Sequence, residues 1–181
     1  ENVGFESPNE FERIAGVVGA AAAVPEKVGI LFPIKPFLSH KEGTVAVWLK
    51  INWAPKETTT RGLINFGRFG WLWRWTHQQF LQFSLFYHHL DERHDYGCQW
   101  KFRDWRPGQW RHFAITWSWS KRKRVMYIDG APVAEAEIKR IPNVITEVRL
   151  GPDADGADEL VFYSRAVDAA EVRRVYEAGK A

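Results

Sequence analysis

Cysteine is nearly absent from this chain: Cys98 is the one copy, which excludes an internal disulfide. No metal staple is required, because 181 residues can bury most of the apolar surface that the unfolded chain exposes. Long apolar runs are missing too. The tract from Gly19 to Val24 is too short for a membrane span, and no signal peptide is visible. The net charge is only +3 and the pI near 9.0, without the basic stripe that nucleic acid requires. The one basic run, Lys121-Arg122-Lys123-Arg124, falls between strand patterns and reads as a solvated hairpin tip. The chain is read as one domain over 1–181, with 1–27 an irregular N-terminal segment. Starting at Glu1 without a methionine, it is expected to be a processed or excised piece.

What is abundant is aromatic. Ten Trp, twelve Phe and five Tyr make up 15% of the chain, more than a core of this size usually needs. Tryptophan is large and amphipathic, so a surplus points either to a recognition surface or to a core built from Trp in place of Leu.

Strand patterns dominate residues 43–163. Val45, Val47, Leu49 and Ile51 alternate with Thr44, Ala46, Trp48 and Lys50. Phe113, Ile115 and Trp117 alternate with His112, Ala114 and Thr116, and Leu81, Phe83, Leu85 and Tyr87 with Gln82, Ser84 and Phe86. Asp129-Gly130 between two such runs is a strong hairpin signal, and Pro107-Gly108 marks another turn. Half-buried strands with short connections and no intervening helices predict an all-β, two-sheet antiparallel sandwich. One short helix is expected at the C-terminus. Asp168 and Glu171 form a capping box, Val167 and Val172 a staple, and Val172, Val175 and Tyr176 an apolar face that ends at Gly179.

Three stretches together resemble laminin G-like, concanavalin A-like domains of the lectin/glucanase superfamily. They are Gly43 to Lys50, then Gly108 to Trp117 with the Tyr127-Ile128-Asp129-Gly130 hairpin, and Ala157 to Val167. Their order and spacing match over roughly residues 28–179. The resemblance implies a jelly-roll topology. Such folds serve as carbohydrate-binding modules, lectins, adhesion domains and glycanases, so fold analogy does not choose among them.

Catalytic patterns are weak. Glycanases of this fold carry paired carboxylates on one strand, and the only similar spacing is Glu135 and Glu137, on an ordinary alternating strand. Lyases of this fold use His, Tyr and Arg, types that occur at Tyr87, His88, His89, Arg93, His94 and Tyr96, but their strand signatures are absent. Adjacent His88 and His89 on a strand point to opposite faces, which disfavours a shared transition metal. No cofactor is expected, and among ions calcium is the better question. The resemblance implies an edge site to which Asp153, Asp155 and Asp158 could contribute, although Leu31 to Ile34 lacks the family's acidic partner.

The best binding signal is aromatic. Trp71, Trp73 and Trp75 share a strand face, and Tyr96, Trp100, Arg103 and Trp105 follow in a second polar-aromatic stretch. Sugar rings stack an apolar C–H face on Trp or Tyr, while their hydroxyls seek Arg, His and Gln. Two arrangements remain open. Either the Trp71-Trp73-Trp75 face meets ligand, or it is core, with Leu72, Arg74 and Thr76 outermost; Arg74, His77 and the 87–105 segment (Tyr87, His89, Arg93, His94, Tyr96, Trp100, Arg103, Trp105) then carry the site. Arg74, Arg93 and Arg103 suit acidic or sulfated sugars. The expectation is a non-catalytic carbohydrate-binding module for a polysaccharide or oligosaccharide. It would sit at the cell surface or be secreted, attached to other domains of a polysaccharide-degrading protein. A protein–protein adhesion domain is the main alternative and a lyase or hydrolase the third.

Overall fold

Alternating sequence becomes alternating strand in a computed structural model that describes residues 12–25, 28–34, 38–54, 57–75, 79–86, 95–102, 105–151 and 153–180. The strands are β1 (Arg13–Ala15), β2 (Ala20–Ala23), β3 (Ile30–Pro33), β4 (Glu42–Ile51), β5 (Arg61–Asn65), β6 (Gly70–Trp75) and β7 (Phe80–Leu85). They continue with β8 (Asp95–Lys101), β9 (Gln109–Ser118), β10 (Lys123–Ile128), β11 (Ala131–Glu137), β12 (Glu147–Leu150) and β13 (Gly156–Tyr163), followed by helix α1 (Ala169–Ala178). They form a seven-stranded sheet, β1-β2-β13-β4-β9-β10-β11, and a six-stranded sheet, β3-β12-β5-β6-β7-β8. All pairings are antiparallel, so the chain is the jelly-roll sandwich its patterning implies.

The core lies between the sheets. Val45, Val47, Leu49 and Ile51 of β4, Phe113, Ile115 and Trp117 of β9, and Leu72, Leu81, Phe83 and Leu85 of β6 and β7 are all buried in one cluster. Trp117 has no exposed surface; its ring centroid lies 5.0 Å from Phe69 and 6.0 Å from Phe66, and its Nε1 donates to the Ser39 carbonyl at 2.9 Å. Burying a side chain of that size stabilises by about 3 kcal/mol or more. Gly43 is needed opposite it, because a Cβ there would meet Trp117 Cζ2 at 2.5 Å.

Two expectations are corrected. Residues 1–27 are not uniformly irregular: β1 and β2 make a hairpin whose second strand pairs with β13, Ala22 opposite Ala157. Asp158 holds the connection, its Oδ2 accepting from the Val17 and Val18 amides at 2.9 and 3.3 Å. The basic run is only partly a solvated tip. Lys121 and Arg122 occupy the turn, but β10 begins at Lys123, and period-two alternation carries Arg124 inward with Met126 and Ile128. Arg124 is fully buried.

The outer face of the seven-stranded sheet is covered. Ala46, Ala114, Val125 and Tyr127 pack with Val167 and Val172, and Tyr176 stacks on Trp48 at 5.3 Å. Both halves of the capping box are present, Glu171 N donating to Asp168 Oδ1 at 2.8 Å and Asp168 N to Glu171 Oε2 at 3.2 Å. Gly179 ends the helix for a different reason than expected. Its φ is −79°, so no left-handed turn demands glycine; a Cβ would instead meet Trp48 Nε1 at 2.4 Å.

Candidate functional site

The outer face of the six-stranded sheet has no helix over it among the described residues. Its side chains follow from register, because residues directly opposite in an antiparallel pair share a face. Leu31 faces Arg149, Arg149 faces Asn65, Asn65 faces Trp71, and Trp71 faces Ser84, a transverse row across five strands. A second row runs Gly62, Trp73, Gln82 and Gln99, and a third Trp75, Phe80 and Lys101. Along β6 this places Trp71, Trp73 and Trp75 outermost while Leu72 and Arg74 point into the sandwich.

The three indoles form a herringbone. Trp71 and Trp73 are 5.9 Å apart at 87°, and Trp73 and Trp75 are 5.0 Å apart at 88°, the edge-to-face geometry that aromatic quadrupoles favour. Phe86 extends the row, 5.6 Å from Trp71. Beneath it lies a polar ladder. Trp73 Nε1 donates to Ser84 Oγ at 3.2 Å, Gln82 Nε2 to the same oxygen at 2.7 Å, and Gln99 Nε2 to Gln82 Oε1 at 2.9 Å. These bonds anchor the central indole to the strand beneath it. Trp71 keeps 38% of its surface exposed, whereas Trp73 and Trp75 are half-buried.

Beside Trp71 is a cleft of about 350 Å³ whose lining includes Val28, Ile64, Asn65, Trp71, Leu72 and Arg149. Arg149 Nη1 donates to the Val28 carbonyl at 2.8 Å, which holds the guanidinium at the rim. Asn65 Oδ1 accepts from the Gly67 amide at 2.7 Å.

The structure shows which side of β6 faces outward. Arg74 is not an outer-face residue. It has no exposed surface and lies 4.7 Å from the Trp53 ring centroid and 5.5 Å from Phe102, donating to the Glu57 carbonyl. Burial pulls its guanidinium pKa down. Trp105 is likewise removed from any ligand surface: 5% exposed, it stacks on Phe102 at 4.6 Å and touches Trp53. Trp100 sits opposite buried Leu81, half-buried against the core, and so belongs to the inner side of β8. The reason is common to all three: each follows the inward phase of its strand or closes the end of the core. His77, Tyr87, His89, Arg93, His94 and Arg103 lie outside the described residues, as does the side chain of Tyr96.

The calcium candidates are dispersed. Asp153 accepts from the Gly62 amide at 2.7 Å and pairs with Arg61 at 3.1 Å; Asp158 caps the β1–β2 connection; Asp155 is exposed beside β13. Among the described residues no three His, Cys, Asp or Glu side chains come together in a metal-holding group. Glu135 and Glu137 are exposed at the sheet edge, paired with Lys123 at 2.7 Å and Arg122 at 3.0 Å.

Sequence reasoning missed Asn65, Phe86, Arg149 and the Gln82-Ser84-Gln99 ladder as parts of one surface. For Gln82 and Ser84 the signal was present, since they alternate with Leu81, Phe83 and Leu85. Arg149 had none, because only the insertion of β12 between β3 and β5 brings it beside Trp71.

A family model described as the concanavalin A-like lectin/glucanases superfamily matches residues 26–173. No curated protein sequence matches the chain. Among solved structures, the receptor-binding domain of botulinum neurotoxin D is similar with a TM-score of 0.64 at 13% identity, over 86% of this chain and 43% of that one. A structure reported with the finding that cell entry of botulinum neurotoxin type C depends upon interaction with two ganglioside molecules gives 0.62 at 10%, over 78% and 36%. The binding domain of botulinum neurotoxin DC in complex with rat synaptotagmin II gives 0.58 at 12%, over 77% and 36%. At these identities the likeness is one of fold, and the chain spans less than half the length of each of these structures.

Proposed function

The chain belongs to the concanavalin A-like lectin/glucanase superfamily, and from that premise we propose that it is a non-catalytic carbohydrate-binding module that grips a polysaccharide or oligosaccharide on the outer face of its six-stranded sheet. The observation that carries this reading is the outward row Trp71, Trp73 and Trp75, backed by hydrogen-bonded Ser84, Gln82 and Gln99. A row of partly exposed indoles on an otherwise well-filled sandwich is costly to leave in water, and the C–H faces of pyranose rings are suited to cover it. Hydroxyls at the ring edge then meet the exposed Gln99 amide, while buried Gln82 and Ser84 hold the indole row from beneath. The ganglioside interaction reported for botulinum neurotoxin type C supports the reading by analogy of fold alone. As a module of this kind the domain would act at the cell surface or in secreted form, joined to other domains that act on the polysaccharide.

A glycan array with the wild-type domain, followed by calorimetry on its hits, tests this. Trp71→Ala and Trp73→Ala should each weaken binding by roughly 1–3 kcal/mol, the range of aromatic anchor truncations, with the fold retained. An array without hits, together with capture of one defined protein ligand by the same tryptophans, would replace the reading with an adhesion domain. Product release from a bound glycan would replace it with an enzyme.

A further inference from the structure

We propose that the cleft beside Trp71 takes an anionic sugar residue of the bound glycan, with Trp71 as its stacking wall and Arg149 as the partner of its carboxylate or sulfate. The inference rests on the glycan-binding reading and adds to it the chemical class of the ligand. The cleft is continuous with the indole row, since Trp71 lines it and is also the most exposed member of that row. Its 350 Å³ is of the size that single small-ligand sites occupy. Its walls are mostly apolar, from Val28, Ile64, Leu72 and the Trp71 ring, with polar groups confined to Arg149 and Asn65. That combination fits a pyranose with one apolar face and one charged substituent.

The electrostatics single out Arg149. Arg61 is paired with Glu57 and Asp153, and the Asp153 carboxylate also accepts from Gly62, so the acid nearest that wall is already neutralised. Arg149 commits one N–H to the Val28 carbonyl at 2.8 Å and pairs with no carboxylate among the described residues. Glu147, on the same face of β12, makes no ion pair with it among those residues. A guanidinium has five N–H donors in a planar fork, so a bidentate pair with an anionic oxygen group remains available. Asn65 Oδ1 is taken by the Gly67 amide, which leaves its NH2 to donate to a ring hydroxyl or an acetamido carbonyl. Arg93 and Arg103, the sequence candidates for acidic sugars, lie outside the described residues, and Arg74 is buried. Arg149 is therefore the described cation that lines the cleft beside Trp71, whereas Lys101 lies at the far end of the row, across Phe80 from Trp75.

The test compares a uronate-containing oligosaccharide with its carboxyl-reduced neutral counterpart, and a sulfated oligosaccharide with its desulfated form, by calorimetry at low and high salt. Wild type is expected to prefer an anionic form by about tenfold or more, a preference that shrinks with salt. The arm that shows it identifies carboxylate or sulfate. In Arg149→Gln the preference should collapse toward unity, and Arg149→Lys should restore part of it; melting temperatures of all three report folding. Equal affinity of wild type for charged and neutral forms, with binding still dependent on Trp73, overturns the inference and leaves the glycan reading standing. A preference that survives in Arg149→Gln also overturns it. No binding to any of the four oligosaccharides, or to any array hit, overturns both.

Discussion

Acid should loosen this domain through one histidine beneath the C-terminal helix. His112 has no exposed surface, and neither ring nitrogen has a hydrogen-bond partner among the described residues. Trp48 lies 5.4 Å away edge-on and Tyr176 5.7 Å away, while Arg111 and Asp129, paired at 2.5 Å, flank it. Burial lowers its pKa from the ordinary 6.5 to about 4, against the smaller opposing pull of Asp129. The unfolded chain thus binds a proton here between pH 6.5 and 4 that the folded chain refuses, so stability falls as pH falls. Linkage between those two values gives a loss of about 2 kcal/mol by pH 5 and about 3 kcal/mol by pH 4, relative to pH 7. Urea melts of wild type and His112→Phe from pH 7 to 4 isolate this contribution, because carboxylates titrate alike in both. The variant should gain on wild type by that amount as pH drops, whatever its offset at pH 7. Parallel curves would show that the imidazole is hydrated or already charged in the folded state, and would refute the reasoning.

Trp117→Ala should lose about 3–5 kcal/mol in denaturant melts, with Trp105→Ala near the lower end of that range, whereas Trp71→Ala, on the exposed row, should stay within about 1 kcal/mol of wild type. Asp168→Ala removes a capping box at the start of α1 and should cost about 1 kcal/mol, read as a fall in melting temperature. Gly179→Ala drives a Cβ into the Trp48 indole and should cost about 1–3 kcal/mol through overpacking; an unchanged melt would mean that the helix end shifts freely.

Much of the sandwich was legible because local signals agreed with one another. The Asp129-Gly130 hairpin forms with φ of 50° and 76° at its two turn residues, the left-handed pair that this dipeptide accepts. β4 and β9 pair over ten residues in the phase that their alternation dictates. On β6 alternation was informative about period but not about direction. Three tryptophans on one side and Leu72 with Arg74 on the other gave the more apolar side to what is the outer face. What reverses it is non-local: Trp53 and Phe102, distant in sequence, supply rings that receive the Arg74 guanidinium, and the Glu57 carbonyl accepts from it. Likewise no window of sequence joins Arg149 to Trp71, since β12 reaches β5 only through the jelly-roll crossover. Motif order indicated the family, but the six-stranded face had to be assembled in space before a binding surface could be named.

The central claim is tested most directly by titrating an oligosaccharide into the isotope-labelled domain and following the indole N–H signals of its ten tryptophans. Assigned by single substitutions, the signals of Trp71, Trp73 and Trp75 should shift with a common dissociation constant, while those of buried Trp53, Trp105 and Trp117 stay in place. Shifts confined to tryptophans away from β6, with the Trp71, Trp73 and Trp75 signals unmoved at saturation, would contradict it.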